Sequence, residues 1–121
     1  YGWPLQTTGS YRTTNYKPVV PDGTEFTAPV RSWPSTIAPT GLTFYNGREF
    51  LLWQGNIIVP GLSRGNLWRV TLDDNQVVST EELFINDRVR IRKAVMSPSG
   101  QLYLLTDEDN GKLIRIKNAN H

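Results

Sequence analysis

The sequence predicts an all-β fold in which two similar units follow a loop-rich beginning. The chain has 121 residues, 38% of them hydrophobic, with 10 Gly and 8 Pro. This composition is typical of short strands joined by tight turns. From Pro39 onward, short apolar runs alternate with turn signals such as Asn46-Gly47 and Asn110-Gly111. The sequence also repeats itself with a period of about 45 residues.

The internal repeat indicates the architecture. One copy runs from Gly55 to Val59 and resumes at Gly65, and the second runs from Gly100 to Leu104 and resumes at Gly111. This period, with about four short strands per copy, is the size of a β-propeller blade, whose faces are buried only by stacking on neighbouring blades. The predicted strands lie near residues 41–45, 56–61, 66–72 and 76–84 in the first blade, and near 92–97, 101–106 and 112–117 in the second.

The predicted organisation has three parts. Residues 1–40 are rich in Pro and form a loop-rich segment over the propeller face, residues 41–84 form a blade, and residues 85–121 form an incomplete closing blade. Two blades cannot close a ring, and an exposed flank leaves apolar surface in water at roughly 25 cal/mol per Å². We therefore expect the chain to be a piece of a longer polypeptide or to oligomerise, with the remaining blades as its partner.

Composition excludes several classes of function. There is no Cys, which removes disulfides, thiolate metal sites and Cys nucleophiles, and the single His is His121. A Ser-His-Asp relay or a His-based metal site inside this chain is therefore not expected. No apolar run approaches the roughly 20 residues that span a bilayer. The net charge is only +2, which argues against a nucleic-acid partner.

Arginines form the first candidate site. Arg88, Arg90 and Arg92 alternate with Val89 and Ile91, so a strand would place three guanidiniums on one face. Neighbouring guanidiniums repel each other unless an anion lies between them, and their planar donors suit a ligand with several carboxylates or phosphates. The alternative is a solvated strand face that is charged to prevent edge pairing, and the residues alone favour it. Nucleic-acid binding by this stripe is a third alternative, which predicts steep salt dependence.

A Pro-bounded loop is the second candidate. The segment from Trp33 to Pro39 holds an indole and two hydroxyls, which can pack on a flat ligand and hydrogen-bond its rim. The plainer interpretation is a buried Trp that anchors a loop. The acidic segment from Asp107 to Gly111 lacks the spacing of an EF-hand loop and is interpreted as a hairpin turn.

Together these segments resemble the glucose/sorbosone dehydrogenase family, which consists of soluble six-bladed propellers that use pyrroloquinoline quinone. Tyr1–Pro4 is similar to the family's N-Y-G-W-P segment, and Trp33–Tyr45 is similar to its W-P-S-I-A-P-S-G-x-x-F-Y stretch. Trp53–Arg69 resembles its W-x-G-N-L-x-V-x-x-L blade, and Arg90–Asp107 resembles R-I-R-D-V-x-x-x-P-D-G-x-L-Y-x-L-T-D. These motifs occur in the family's order and span nearly the whole chain.

The resemblance implies a function for the arginines. Arg90 and Arg92 are expected to pair with the carboxylates or dione oxygens of the quinone, and Trp33 and Thr36 are expected to line its pocket. In the family, a His deprotonates the anomeric hydroxyl of an aldose while hydride passes to the quinone, which a calcium ion polarises. That His and the calcium loop precede the Gly-Trp-Pro segment, so no catalytic residue and no metal ligand is assigned to this chain. The family also implies a periplasmic or extracellular location.

Three departures from the family pattern are present. Ser63 stands where some members have a cofactor-binding Lys, Lys93 replaces the Asp after the R-x-R, and the loop after Trp33 is one residue longer than in some members. Losing a positive charge opposite the quinone weakens binding, and the neighbouring Arg64 is a possible substitute. The leading hypothesis is part of a sugar dehydrogenase. The alternative is a non-catalytic propeller that binds carbohydrate or protein.

Overall fold

The computed structural model describes residues 2, 3, 5, 6, 18–63 and 67–120. The chain divides into two compact units, Tyr1–Pro34 and Ser35–His121. Tyr1 and Pro4 of the first motif, Arg64 and His121 lie outside the described residues. Within the described residues, no helix is long and apolar enough to cross a membrane.

The second unit is built from strands. In chain order they are β1 (Thr43–Phe44), β2 (Ile57–Pro60), β3 (Leu67–Asp73), β4 (Gln76–Leu83), β5 (Ile91–Met96), β6 (Leu102–Thr106) and β7 (Leu113–Ile116). Each predicted strand is present, and most ends differ by one or two residues. A short 3-10 helix, Leu51–Trp53, was not predicted.

Two antiparallel sheets confirm the all-β prediction. One has four strands in the order β1-β2-β3-β4 and the other three strands in the order β5-β6-β7. Each sheet meanders, because every strand pairs with the next one along the chain. The β3–β4 hairpin turns at Asp74 and Asn75, with φ angles of 47° and 60°. Two successive positive φ values match the twist of the flanking strands, and Asp and Asn tolerate them better than most residues.

The hydrophobic core lies between the two sheets. Ile58 and Leu67 of the four-stranded sheet belong to one buried cluster with Ala94, Leu102 and Leu104 of the three-stranded sheet. Along β6 the buried side chains alternate with more exposed ones, so Leu102 and Leu104 come from one face of the three-stranded sheet. Face-to-face packing of small antiparallel sheets is the arrangement that the blade prediction requires.

Hydrogen bonds join the two sheets at one edge, where β2, β4 and β6 end. The Ile91 N–H donates to the Gly61 oxygen at 3.3 Å. The Thr40 hydroxyl contacts the oxygens of Pro60 and Ile91 at 3.4 and 3.3 Å. We call this side of the second unit the arginine edge, because Arg90 and Arg92 lie there at the start of β5. The tethers fix the beginning of β5 against the end of β2.

The first unit contains no strand or helix among its described residues. A turn is closed by the Thr24 N–H, which donates to the Pro21 oxygen at 3.2 Å. Gly2 lies so close to Phe26 that an added Cβ would be 2.7 Å from the ring. The predicted domain boundaries at residues 40 and 84 stay predictions.

Candidate functional site

Arg90 and Arg92 converge on one carboxylate. Arg90 donates from Nε and Nη2 to Asp107 Oδ2 at 3.2 and 2.7 Å. Arg92 donates from Nε and Nη2 to the other oxygen, Oδ1, at 3.1 and 2.9 Å. The Asp107 carboxylate therefore lies between two guanidiniums, and each guanidinium donates to a different carboxylate oxygen. We call these three residues the arginine pair and its carboxylate.

Strand geometry explains how these residues meet. β5 begins at Ile91, directly after Arg90, and β6 ends at Thr106, directly before Asp107. Ile91 pairs with Thr106, and the Asp107 N–H donates to the Arg90 oxygen at 2.8 Å. The register then shifts between Ile91 and Lys93. Arg92 therefore lies at an irregularity of the strand, and it contacts the same carboxylate as Arg90.

The arginines change the acidity of the carboxyl group. Hydrogen bonds from Arg90 and then Arg92, together with their positive charges, hold the pKa of Asp107 below its usual value, although desolvation opposes the shift. Both arginines favour the ionised carboxylate. Asp107 is therefore an anion at neutral pH and not a proton donor.

The expected row of three guanidiniums is wrong in one respect. Arg88 lies before β5 and has a φ of 48°, so it is not part of the extended strand. A strand places alternate side chains on one face only while the backbone stays extended. The predicted need for an anion between neighbouring guanidiniums is met from within the chain, by Asp107.

Thr36 lies in a loop that reaches the arginine edge. The Ser63 and Leu62 N–H groups donate to the oxygens of Ile37 and Ala38 at 3.2 and 3.1 Å. These bonds hold the loop along the segment that follows β2, next to the tethered start of β5. Thr36 itself is exposed, and its hydroxyl oxygen accepts the Ala38 N–H at 3.2 Å. Ala38 has a φ of 48°, which is an unusual backbone conformation for a residue with a Cβ. Residues in such conformations are found most often at functional sites.

Trp33 belongs to the first unit and is half-buried. The Arg31 guanidinium lies over its ring, 5.7 Å from the centroid. A cation at this distance is attracted to the indole face. Both interpretations of Trp33, an anchor of its loop and a ligand contact, stay predictions.

Two of the departures from the family pattern lie on the same edge. Ser63 is held by its N–H bond to Ile37 and contributes no charge. Lys93 is exposed on β5, next to Arg92. Within 18–63 and 67–120, and at the few described residues before them, no three His, Cys, Asp or Glu side chains cluster as metal ligands would. Glu108 instead contacts Lys112 at 4.0 Å in the turn after β6.

The arrangement is suited to binding oxygen-rich anions. The side chains of Arg90 and Arg92 are 56% and 52% exposed, against 25% for Asp107. A guanidinium has about five N–H donors, and the contacts with Asp107 use only Nε and Nη2. No described residue accepts a hydrogen bond from either Nη1. Both Nη1 groups therefore have no acceptor among the described residues, in a cluster with a positive net charge.

Sequence reasoning did not assign Asp107 to this site. In the sequence it begins the segment interpreted as a hairpin turn and ends the motif that resembles the family, and neither gives it a role. The signal was nevertheless available, because Asp107 follows the second predicted strand of its blade and Arg90 precedes the first. Adjacent antiparallel strands bring such positions together.

The family comparison supplies the deciding observation. The profile of the glucose / sorbosone dehydrogenases matches residues 1–115. The chain belongs to this family. Its two sheets are part of a β-propeller dehydrogenase fold, which confirms the predicted fold class. A crystal structure of a glucose dehydrogenase covers 98% of this chain with a TM-score of 0.83 and 34% identity, and the match takes up 35% of that chain.

Curated members of the family show the same likeness. The aldose sugar dehydrogenase YliI of Escherichia coli strain K12 is 31% identical over 124 residues, covering 99% of this chain and 33% of that protein. The quinoprotein glucose dehydrogenase B of Acinetobacter calcoaceticus is 32% identical over 80 residues, covering 62% of this chain and 16% of that protein. The chain thus spans a third or less of the length of these relatives.

Proposed function

We propose that this chain forms part of a sugar dehydrogenase that uses pyrroloquinoline quinone and oxidises aldoses at the anomeric carbon. The observation that carries the proposal is the arginine pair, which lies at one edge of a fold typical of the family and keeps Nη1 donors without an acceptor among the described residues. Arg90 and Arg92 bind the oxygens of the quinone. Trp33 and Thr36 are further contacts with the cofactor, an assignment that rests on the family resemblance.

The donor set fits this cofactor. Pyrroloquinoline quinone is a flat molecule that carries carboxylates and two adjacent carbonyl oxygens. Planar guanidiniums bind such oxygens with two donors each. The exposed Nη1 groups of Arg90 and Arg92 are free of acceptors among the described residues, so binding does not require a prior bond to be broken. When bound, the quinone accepts the hydride that the sugar gives up.

This chain contributes binding and electrostatics, and the general base lies elsewhere. Asp107 is unsuited to that role because the two arginines keep its pKa low. The single His is His121, outside the described residues. The proposal therefore assigns the base and the calcium ligands to parts of the protein beyond this chain. A periplasmic or extracellular location is proposed on the family resemblance alone, and cell fractionation tests it.

The remaining blades are the proposed partner of an apolar sheet face. Val95, Leu105 and Leu113 of the three-stranded sheet are 40%, 43% and 66% exposed. They lie on the face opposite the core, with Leu105 opposite Leu113 in the β6–β7 register. Sedimentation of the isolated chain is expected to show self-association through such surface. A sharp monomer that unfolds cooperatively contradicts this part of the proposal.

A non-catalytic propeller that binds carbohydrate or protein is the second candidate. Ser63 favours it, because an uncharged residue replaces a Lys that some family members use for the cofactor. Asp107 also neutralises part of the charge of the arginines. The two candidates differ upstream of this chain, where the dehydrogenase requires a His and a calcium loop and the binding module requires neither.

The decisive experiment is a calorimetric titration of pyrroloquinoline quinone and calcium into the full-length protein. We expect binding by the natural protein and a loss of at least about 100-fold in affinity in the Arg90→Ala/Arg92→Ala variant, because charge-assisted bonds are worth about 1.5–3 kcal/mol each.

Arg48→Ala is the matched control for that titration. Arg48 is exposed and lies beside Ser99 and Gly100, and these two residues belong to the turn that precedes β6. Asp107 follows the other end of β6, so the two positions are roughly 17 Å apart along the strand direction. We expect Arg48→Ala to bind like the natural protein. If the natural protein does not bind the quinone, the non-catalytic candidate is favoured.

A further inference from the structure

Asp107 contacts both arginines of the pair, and the proposed function gives its carboxylate no role in cofactor binding. We propose that Asp107 is the positioning residue of the pair: it fixes both guanidiniums so that their Nη1 groups face the ligand, and it reduces the net charge of the cluster to one positive unit. This inference rests on the proposed function, since it concerns how the same site receives an anionic cofactor.

The contact geometry supports positioning. Each guanidinium is bound through two nitrogens to a single oxygen, Arg90 to Oδ2 and Arg92 to Oδ1. Two contacts fix the direction of a guanidinium plane, whereas a single contact leaves the plane free to rotate. Arginine side chains lose much rotamer freedom when they bind a ligand, and holding them beforehand reduces that cost. Asp107 thus preorganises both side chains together.

Charge supports the same role. Without an anion between them, the guanidiniums of Arg90 and Arg92 repel each other and turn apart into solvent. With Asp107 between them, they remain neighbours while the cluster stays positive. A ligand with several carboxylates still gains electrostatic attraction, while a single small anion is held less strongly than by two unpaired arginines.

The backbone allows this role to be isolated. The Asp107 N–H donates to the Arg90 oxygen at 2.8 Å, and Ile91 pairs with Thr106. These contacts do not involve the carboxylate. Asp107→Asn therefore removes the charge and one acceptor while the ends of β5 and β6 stay aligned.

The chain offers a closely matched control for the loss of a carboxylate. Glu49 contacts Arg115 Nη2 at 2.5 Å, and its side chain is 24% exposed, against 25% for Asp107. Its loop adjoins the turn before β6, at the end of the sheets away from the arginine edge. Glu49→Gln therefore removes an ion-paired carboxylate of nearly equal exposure without touching Arg90 or Arg92.

The test measures the dissociation constant of pyrroloquinoline quinone, with calcium present, for full-length protein carrying Asp107→Asn, Asp107→Glu or Glu49→Gln. We expect an increase of at least tenfold for Asp107→Asn, recovery to within about threefold of the natural protein for Asp107→Glu, and no more than a twofold change for Glu49→Gln. Arginine Nε–H resonances give an independent readout without ligand. Those of Arg90 and Arg92 are expected to lose their protection from exchange in Asp107→Asn and to keep it in Glu49→Gln.

The outcomes separate the two proposals. If the natural protein binds the quinone and Asp107→Asn binds it equally well, Asp107 is not a positioning residue and the proposed function stands. Tighter binding by Asp107→Asn means that the carboxylate competes with the ligand, which also overturns the inference. An equal loss in Glu49→Gln assigns the effect to general stability. If the natural protein does not bind the quinone, the proposed function itself fails.

Discussion

Two arginine clusters in the second unit show how differently a guanidinium can be used. Arg69, on β3, donates to Glu81 from Nε at 2.8 Å and to Asn56 from Nη1 at 2.7 Å. Its Nη2 lies 2.6 Å from the same Glu81 oxygen, and its guanidinium lies 5.6 Å from the centre of the Trp53 ring. All three nitrogens of Arg69 thus have partners within the chain.

Arg90 and Arg92 share one carboxylate instead. Their side chains are 56% and 52% exposed, compared with 20% for Arg69. Arg69 uses Nη1 to bind Asn56, whereas Nη1 of Arg90 and of Arg92 has no acceptor among the described residues. A guanidinium whose donors are all used inside the chain supports the fold, while one that keeps an outward edge can bind a ligand. The number of donors in use, more than the presence of an ion pair, distinguishes the two clusters.

The largest expected difference between the clusters is in stability. Arg69→Ala removes the shorter of the two hydrogen bonds to Oδ1 of Asn56, which is 5% exposed, and leaves the longer one from Thr71. It also removes the cation over Trp53. Leaving a buried polar group without its main partner costs about 1–3 kcal/mol. We therefore expect Arg69→Ala to lower the free energy of unfolding by about 2 kcal/mol, measured by urea denaturation of the full-length protein.

Arg92→Ala is the counterpart in that experiment. Exposed ion pairs contribute little to stability, so we expect a much smaller change than for Arg69→Ala, together with weaker binding of the quinone. If the two variants are equally destabilised, the distinction between a structural and a ligand-facing arginine is wrong.

A smaller effect is expected from pH. Because the pKa of Asp107 is lowered in the folded protein, its ionised form stabilises the fold above its ordinary pKa, and this contribution is lost as the pH falls through the lowered value. The loss should therefore begin only below about pH 4. We expect the carboxyl carbon resonance of Asp107 to titrate below that pH in the natural protein.

Variants of the arginines sharpen the pH measurement. In Arg90→Ala/Arg92→Ala the titration midpoint of Asp107 should return toward its ordinary value, because both causes of the shift are removed. Arg115→Ala, which breaks the ion pair to Glu49, should leave the midpoint unchanged. An unshifted midpoint in the natural protein would contradict the double pairing of Asp107.

Much of this fold follows from the sequence alone. The turn signals and the repeat of about 45 residues predict all seven strands to within a few positions. Local chemistry is sufficient here, since apolar alternation and Asp, Asn and Gly at turns act over a few residues. Family motifs also selected Arg90 and Arg92 as candidate ligands. The 3-10 helix at Leu51–Trp53 was missed because its residues carry no cap and no turn signal of their own.

Tertiary structure decided which of these residues act together. Asp107 is 17 residues from Arg90 and 15 from Arg92, and in the sequence it is one of several acidic residues at turns. Only the pairing of β5 with β6 brings it between the two guanidiniums. Residue type thus determined what each side chain can bind, whereas strand register determined which donors are used within the chain and which remain for a ligand.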